Sequence, residues 1–142
     1  MNASKILTIA VAFALLASTL MPIFGVGPVA NAAAEDDTVK IGFLNPSTGP
    51  IAVYAEAFSD AAQIAIDHLN EDSTTHTFEL VEADSGCDGT TAATAAQSLV
   101  DAGVVGIAGA ACSGATLGAM EVAKAAGVPM VSYASTSPAL TS

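Results

Sequence analysis

Ser113 lies in the run Gly109-Ala110-Ala111-Cys112-Ser113-Gly114, a glycine-bounded segment compatible with several chemistries. The glycine spacing is that of a phosphate-binding loop, but Ala115 stands where the lysine that reaches the phosphates is needed, which argues against nucleotide hydrolysis. A nucleophile elbow needs glycines at the positions held by Ala111 and Ala115. A nucleophilic serine also needs a base, and the histidines are His68, inside a helical stretch, and His76, in a turn. Asp84 and Asp88 open a segment like a calcium loop, yet its twelfth position is Ala95 rather than glutamate, so no metal site is expected. Apart from these chemistries, backbone N–H groups gather at helix starts along the carboxyl edge of a parallel sheet, where ligands bind.

Cys87 and Cys112 form an even pair in a chain that begins like an exported one, and such a pair reads as a disulfide. A redox-active pair is more often closely spaced, as in C-x-x-C. Closing a loop of this size is worth roughly 3 kcal/mol in the chain-entropy model. The bridge either stabilises the domain, shapes a site, or does both.

These residues need elements to hold them. Residues 39–44 form a β-branched and apolar run ending at Asn45-Pro46, a first strand. From about 53 to 70, Ala57, Phe58, Ala61, Ile64, Ala65 and Leu69 recur at helical spacing. Residues 77–83 alternate as a half-buried strand. Thr90 or Thr91 is expected to cap a second helix reaching about Ala102, with Gly103 at its left-handed end. Residues 104–110 form a third strand, Ser113 is expected to cap a third helix that Gly127 ends, and residues 128–133 form a fourth strand. The order βαβαβαβ predicts an α/β fold: a doubly wound parallel sheet of about four strands with three helices on its two faces. Ligands of such sheets bind beyond the carboxyl ends of the strands, which singles out 45–54, 109–115 and 134–138. Ending just after the fourth strand, the chain reads as truncated.

The first residues bound the setting. A weakly basic start with Lys5, an apolar run over 6–24 and the small residues Ala30-Asn31-Ala32 read as a signal peptide, 1–32, leaving 33–142 as the exported part. An uncleaved surface anchor is the alternative, since the run approaches membrane-spanning length; Pro22 and the small-residue exit favour cleavage. With 3 Lys and Arg against 14 Asp and Glu, the net charge of −11 repels nucleic acid and anionic membrane faces. Five Phe, two Tyr and no Trp predict a core of small residues.

Several segments carry a family likeness: Ser47-Thr48-Gly49-Pro50 leading to Tyr54, Asp84-Ser85-Gly86-Cys87-Asp88, Cys112-Ser113, and Tyr133-Ala134-Ser135-Thr136-Ser137-Pro138. Over 38–142 the chain resembles the amino-terminal lobe of type 1 periplasmic binding proteins, nearest to leucine/isoleucine/valine-binding proteins of ABC importers. The resemblance implies a two-lobed receptor, monomeric at full length, that closes on a small-molecule amino acid and delivers it to a membrane permease in the periplasm or outside the cell. It implies no enzyme activity and no cofactor, and it implies the Cys87–Cys112 disulfide. Sensory or regulatory domains of the same fold are the alternative. Ser113 matches a serine that meets the ligand carboxylate with hydroxyl and N–H. Ala134 and Thr136 match residues whose carbonyl and hydroxyl receive the ammonium, the Thr136 N–H also reaching the carboxylate. Ser135 lies between them, and Tyr54 matches an aromatic at the site wall. Two departures are Gly114, where the nearest relatives tend to have serine, and Tyr133, which replaces a smaller residue. The acid completing the ammonium site belongs to the second lobe, so binding by these residues alone is expected to be weak or undetectable.

Overall fold

The computed structural model describes residues 37–141; the leader expected over 1–32 lies outside the described residues. Four strands, β1 (Thr38–Asn45), β2 (Thr77–Asp84), β3 (Gly106–Ala108) and β4 (Met130–Val131), form one sheet in the order β2-β1-β3-β4. All three pairings are parallel, with Ile41 opposite both Leu80 and Gly106, and Ile107 opposite Met130. Three helices connect them: α1 (Ala55–Asp72), α2 (Gly89–Asp101) and α3 (Ser113–Ala126). Short 3-10 turns cover Ala52–Tyr54 and Pro138–Leu140.

Side-chain alternation divides the sheet into two unlike faces. Leu44, Val81, Ala83 and Ile107 face α2 and α3, where Ala92, Ala96, Leu99, Ala115 and Ala119 close a dense core. Burying Leu44, Leu99 and Ile107 contributes about 1.5–3 kcal/mol each. The alanines let the helices come close. At Gly118 of α3 a Cβ would fall 2.0 Å from the carbonyl oxygen of Gly89, the first residue of α2, so the two backbones touch. On the other face Ile41, Phe43, Leu80 and Ala108 look toward α1 across an apolar cavity of about 370 Å³.

Four expectations need correction. The cap of α2 is Asp88 rather than Thr90 or Thr91: its carboxylate accepts from the Thr91 N–H at 2.9 Å and the Thr91 hydroxyl at 3.0 Å. A carboxylate at a helix start also opposes the dipole favourably, an advantage threonine lacks. The cap position of α3 is Cys112, which makes no side-chain capping bond, and Ser113 is the first helical residue. On α1 the inward residue is Ile66, 4% exposed, whereas Ile64 is 55% exposed, because the stripe runs Phe58, Ala62, Ala65, Ile66, Leu69. Strands β3 and β4 are shorter than the apolar runs that contain them: Val104, Ala110 and Ala111 are buried by packing without joining the ladder. Gly103 and Gly127 follow α2 and α3 with φ of +80° and +70°, as expected.

Candidate functional site

Chain order takes β1 to β2 on one side and then returns to place β3 on the other, so the sheet changes winding direction between β1 and β3. That switch point is where an open parallel sheet leaves a crevice at its carboxyl edge. Gly109 occupies it with φ of +127°, and a Cβ there would meet Leu44 at 2.7 Å. Only glycine suits both the conformation and the space.

The loops that follow the four strands are joined around this crevice. After β1, Thr48 donates its N–H at 3.1 Å and its hydroxyl at 2.6 Å to the carboxylate of Asp84 at the end of β2. Asp84 also accepts from the Gly86 N–H at 2.8 Å. The Cys87–Cys112 disulfide, with Cα atoms 5.2 Å apart, then ties the β2 loop to the β3 loop. Finally, the hydroxyl oxygen of Ser113 accepts the N–H groups of Thr136 and Ser137, each at 3.2 Å, joining the start of α3 to the loop after β4. The rim is therefore continuous from 48 to 137.

The β4 loop is fastened on its inner side by hydroxyls. Ser132 donates to the Ala110 carbonyl at 2.6 Å and accepts the Ser135 N–H at 2.9 Å. Ser135 Oγ lies 2.7 Å from the hydroxyl of buried Thr116 and 3.2 and 3.3 Å from the carbonyls of Ala110 and Ala111. Its hydroxyl is committed to the scaffold. Among the described residues, by contrast, neither the Ala134 carbonyl nor the Thr136 hydroxyl takes part in a hydrogen bond, and both residues are exposed. The Thr136 N–H, expected to be available to a ligand, is donated to Ser113. In the first turn of α3 the N–H groups of Ser113, Gly114 and Ala115 have no intrahelical acceptor, as at any helix start, and no Cys112 cap covers them. Tyr54 is 56% exposed, and its ring centroid lies 6.1 Å from that of Phe58.

Among the described residues, no nucleophilic constellation surrounds Ser113. His68 is exposed on α1, across the sheet from α3, and His76 sits before β2 at the opposite edge, its backbone bonded to Ser73. Asp84 and Asp88 are turned to local N–H and hydroxyl donors rather than converging on one another. Sequence reading missed the Thr48–Asp84 clamp and the Thr116 and Ser132 anchors. An aspartate followed two residues later by glycine is a turn signal that accounts for the Asp84–Gly86 bond, whereas nothing local marks the reach to Thr48 or the other two.

Charge at the rim has a measurable consequence. Burial pushes the Asp84 carboxyl up, but the Thr48 hydroxyl and the N–H groups of Gly86, Thr48 and Ser47 together hold it below its usual 3.8. Hydrogen bonds from Thr91 hold Asp88 low as well. A depressed folded pKa means that the stabilisation is whole above the unfolded value and is lost as pH falls through the folded one, since the unfolded chain protonates first. Stability is expected to decline below about pH 4, with Asp84→Asn flattening that decline. Urea midpoints taken from pH 5 down to about pH 2 test this, and an unchanged slope in the variant would remove Asp84 from the account.

The sequence matches the family described as periplasmic binding protein over residues 38–142. The chain belongs to the periplasmic binding protein family. Among its relatives, the leucine-, isoleucine-, valine-, threonine- and alanine-binding protein of Pseudomonas aeruginosa is 31% identical over 127 residues, covering 88% of this chain and 34% of the relative. The structure of LivJ, a branched-chain amino acid transporter substrate-binding protein of Streptococcus pneumoniae in complex with isoleucine, superimposes with a TM-score of 0.68 at 36% identity, over 73% of this chain and 31% of that one. An ABC-transporter solute-binding protein of Rhodopseudomonas palustris BisB5, in complex with 3,4-dihydroxybenzoic acid, gives a TM-score of 0.63 at 28% identity, over 70% of this chain and 28% of that one. This periplasmic binding protein chain thus spans about a third of the length of the relatives it matches.

Proposed function

We propose that this chain supplies the carboxylate-gripping lobe of an extracytoplasmic receptor that delivers an apolar amino acid to an ABC importer. The carrying observation is the pair of N–H groups donated by Thr136 and Ser137 to Ser113 Oγ, which brings the α3 start and the β4 loop into one surface. With its oxygen accepting twice, the Ser113 hydroxyl keeps its proton to donate outward. Together with the unpaired N–H groups of the first turn, it makes a carboxylate seat. Isoleucine and 3,4-dihydroxybenzoic acid, bound by two structural neighbours, both carry that group. The Ala134 carbonyl and Thr136 hydroxyl are acceptors suited to an ammonium, which only the amino acid has. Ser135 holds the loop, and Tyr54 walls the site. No cofactor or bond-breaking step enters: the receptor acts outside the cytoplasm as a monomer, closes a second lobe over its ligand, and passes it to a permease.

Titrating the ¹⁵N-labelled chain with isoleucine tests this. Amides of Ser113, Gly114 and Thr136 are expected to shift together, with a dissociation constant on the order of 1 mM or weaker, because one lobe leaves the ligand largely hydrated. A response to 3,4-dihydroxybenzoate but not to isoleucine would replace the ligand class, and silence to both in a polypeptide of the relatives' length that carries this chain would end the reading.

A further inference from the structure

We propose that Tyr133 is a positioning residue, whose ring locks the loop 134–137 to β1 and α1. The loop's task rests on the reading just given, whereas its fixation does not. Strand β4 has only two residues, Met130–Val131, and Val131 is 73% exposed, so the sheet itself offers the following loop a short anchor. Beyond it, side chains alternate as along a strand. Ser132 reaches the α2 and α3 side through the Ala110 carbonyl. Tyr133 turns to the α1 side, where its ring centroid lies 5.5 Å from that of Phe43 on β1 and 5.4 Å from that of Phe58 on α1, the latter edge-to-face. Its hydroxyl donates to the Leu44 carbonyl at 3.3 Å, at the winding switch of the sheet.

The aromatic contacts then run from Phe43 through Tyr133 and Phe58 to Tyr54. One end of that series is the strand beside Gly109, the other is the exposed ring at the site edge, and Tyr133 immediately precedes Ala134. The serine bonds and the tyrosine ring hold the loop from opposite faces of the sheet. Serine hydroxyls fix it against α3, and the Tyr133 ring, which lines the apolar cavity, holds it on the α1 side. Burial and the nearby charge of Glu82 push the phenol up to about 12, so the hydroxyl remains a donor at neutral pH.

Amide hydrogen exchange on the chain without ligand decides the matter. The readout is the exchange of Thr136 and Ser137, whose N–H groups go to Ser113, against Val105, whose N–H is bonded to the Lys40 carbonyl at 2.9 Å as a measure of global opening. In Tyr133→Ala and in Tyr133→Leu, which keeps bulk without an aromatic edge, Thr136 and Ser137 are expected to exchange about tenfold faster or more with Val105 unchanged. Tyr133→Phe is expected to stay within about threefold of the parent, since the ring remains. Unchanged loop exchange in the Ala and Leu variants would overturn the proposal. So would loss of Val105 protection in both, which would make Tyr133 a general core residue, or a Phe variant as fast as the Ala variant, which would credit the hydroxyl instead. A polypeptide of the relatives' length in which isoleucine moves no amide would sink the functional reading while leaving this result standing.

Discussion

Gly118→Ala is expected to destabilise the fold by about 3 kcal/mol or more, the upper end for adding one methyl group to a packed interface. The cost is high because the added carbon would lie 2.0 Å from a backbone oxygen, that of Gly89, and not from the flexible end of a side chain. Relief requires α2 and α3 to move apart, and their interface is otherwise a set of alanines, Ala92, Ala96, Ala115 and Ala119, with little side chain to reorient. The first turn of α3 carries Ser113 and adjoins Cys112, so the same displacement would shift the proposed carboxylate seat relative to the β4 loop. Thermal and urea unfolding followed by circular dichroism would show a drop in midpoint of roughly 12 °C or more for a domain of this size. The informative contrast is Gly114→Ser, one turn earlier on the same helix. A Cβ there meets nothing within 4 Å, so this change is expected to leave the midpoint nearly unmoved. Equal behaviour of the two variants would contradict the proposed close approach of the helices.

Much of this arrangement was legible in the residues, for identifiable reasons. Gly103 and Gly127 follow runs of helical period and take the left-handed conformation that L side chains resist, so local chemistry alone fixes those ends. The parallel sheet and the edge that carries the loops follow from the alternation of short apolar runs with helices, which right-handed crossovers convert into parallel pairing, whereas the order of the strands within the sheet does not. The phase of α1 was not legible. Alanines fill so much of the helix that Ile64 and Ile66 are both compatible with an apolar stripe, and only the fit against Phe43 and Leu80 puts Ile66 inside. Nor was the work of Ser113. A serine beside a helix start is locally a cap, yet its oxygen is taken by N–H groups 23 and 24 residues away, a pairing set by where β4 lands in the sheet. Thr116 and Ser132 were missed for the same reason: one is buried under the β4 loop and the other bonds to Ala110, contacts that no sequence window contains. Residues that bridge loops across a winding switch are legible from topology and not from spacing.

In a polypeptide of the relatives' length that carries this chain, Ser113→Ala is expected to weaken isoleucine binding by about 100-fold, or near 3 kcal/mol. Two losses combine. A hydroxyl donating to a carboxylate is a charge-assisted bond, and deleting it leaves the anion short of a donor in a desolvated seat. The Thr136 and Ser137 N–H groups also lose their acceptor, so the loop that presents the ammonium acceptors loosens. Thr136→Ala removes one ammonium acceptor and leaves the carboxylate seat intact, for which about tenfold is expected. Calorimetry with isoleucine and isoleucinamide separates these terms as a double-mutant cycle does. Isoleucinamide lacks the carboxylate, so it should bind weakly to the parent and in Ser113→Ala lose only the share due to the loosened loop, less than isoleucine loses, whereas Thr136→Ala should weaken both ligands alike. If Ser113→Ala costs isoleucine less than about threefold, or costs the amide as much as the acid, the α3 start is not where the carboxylate sits, and the convergence of the two loops serves the fold rather than the ligand.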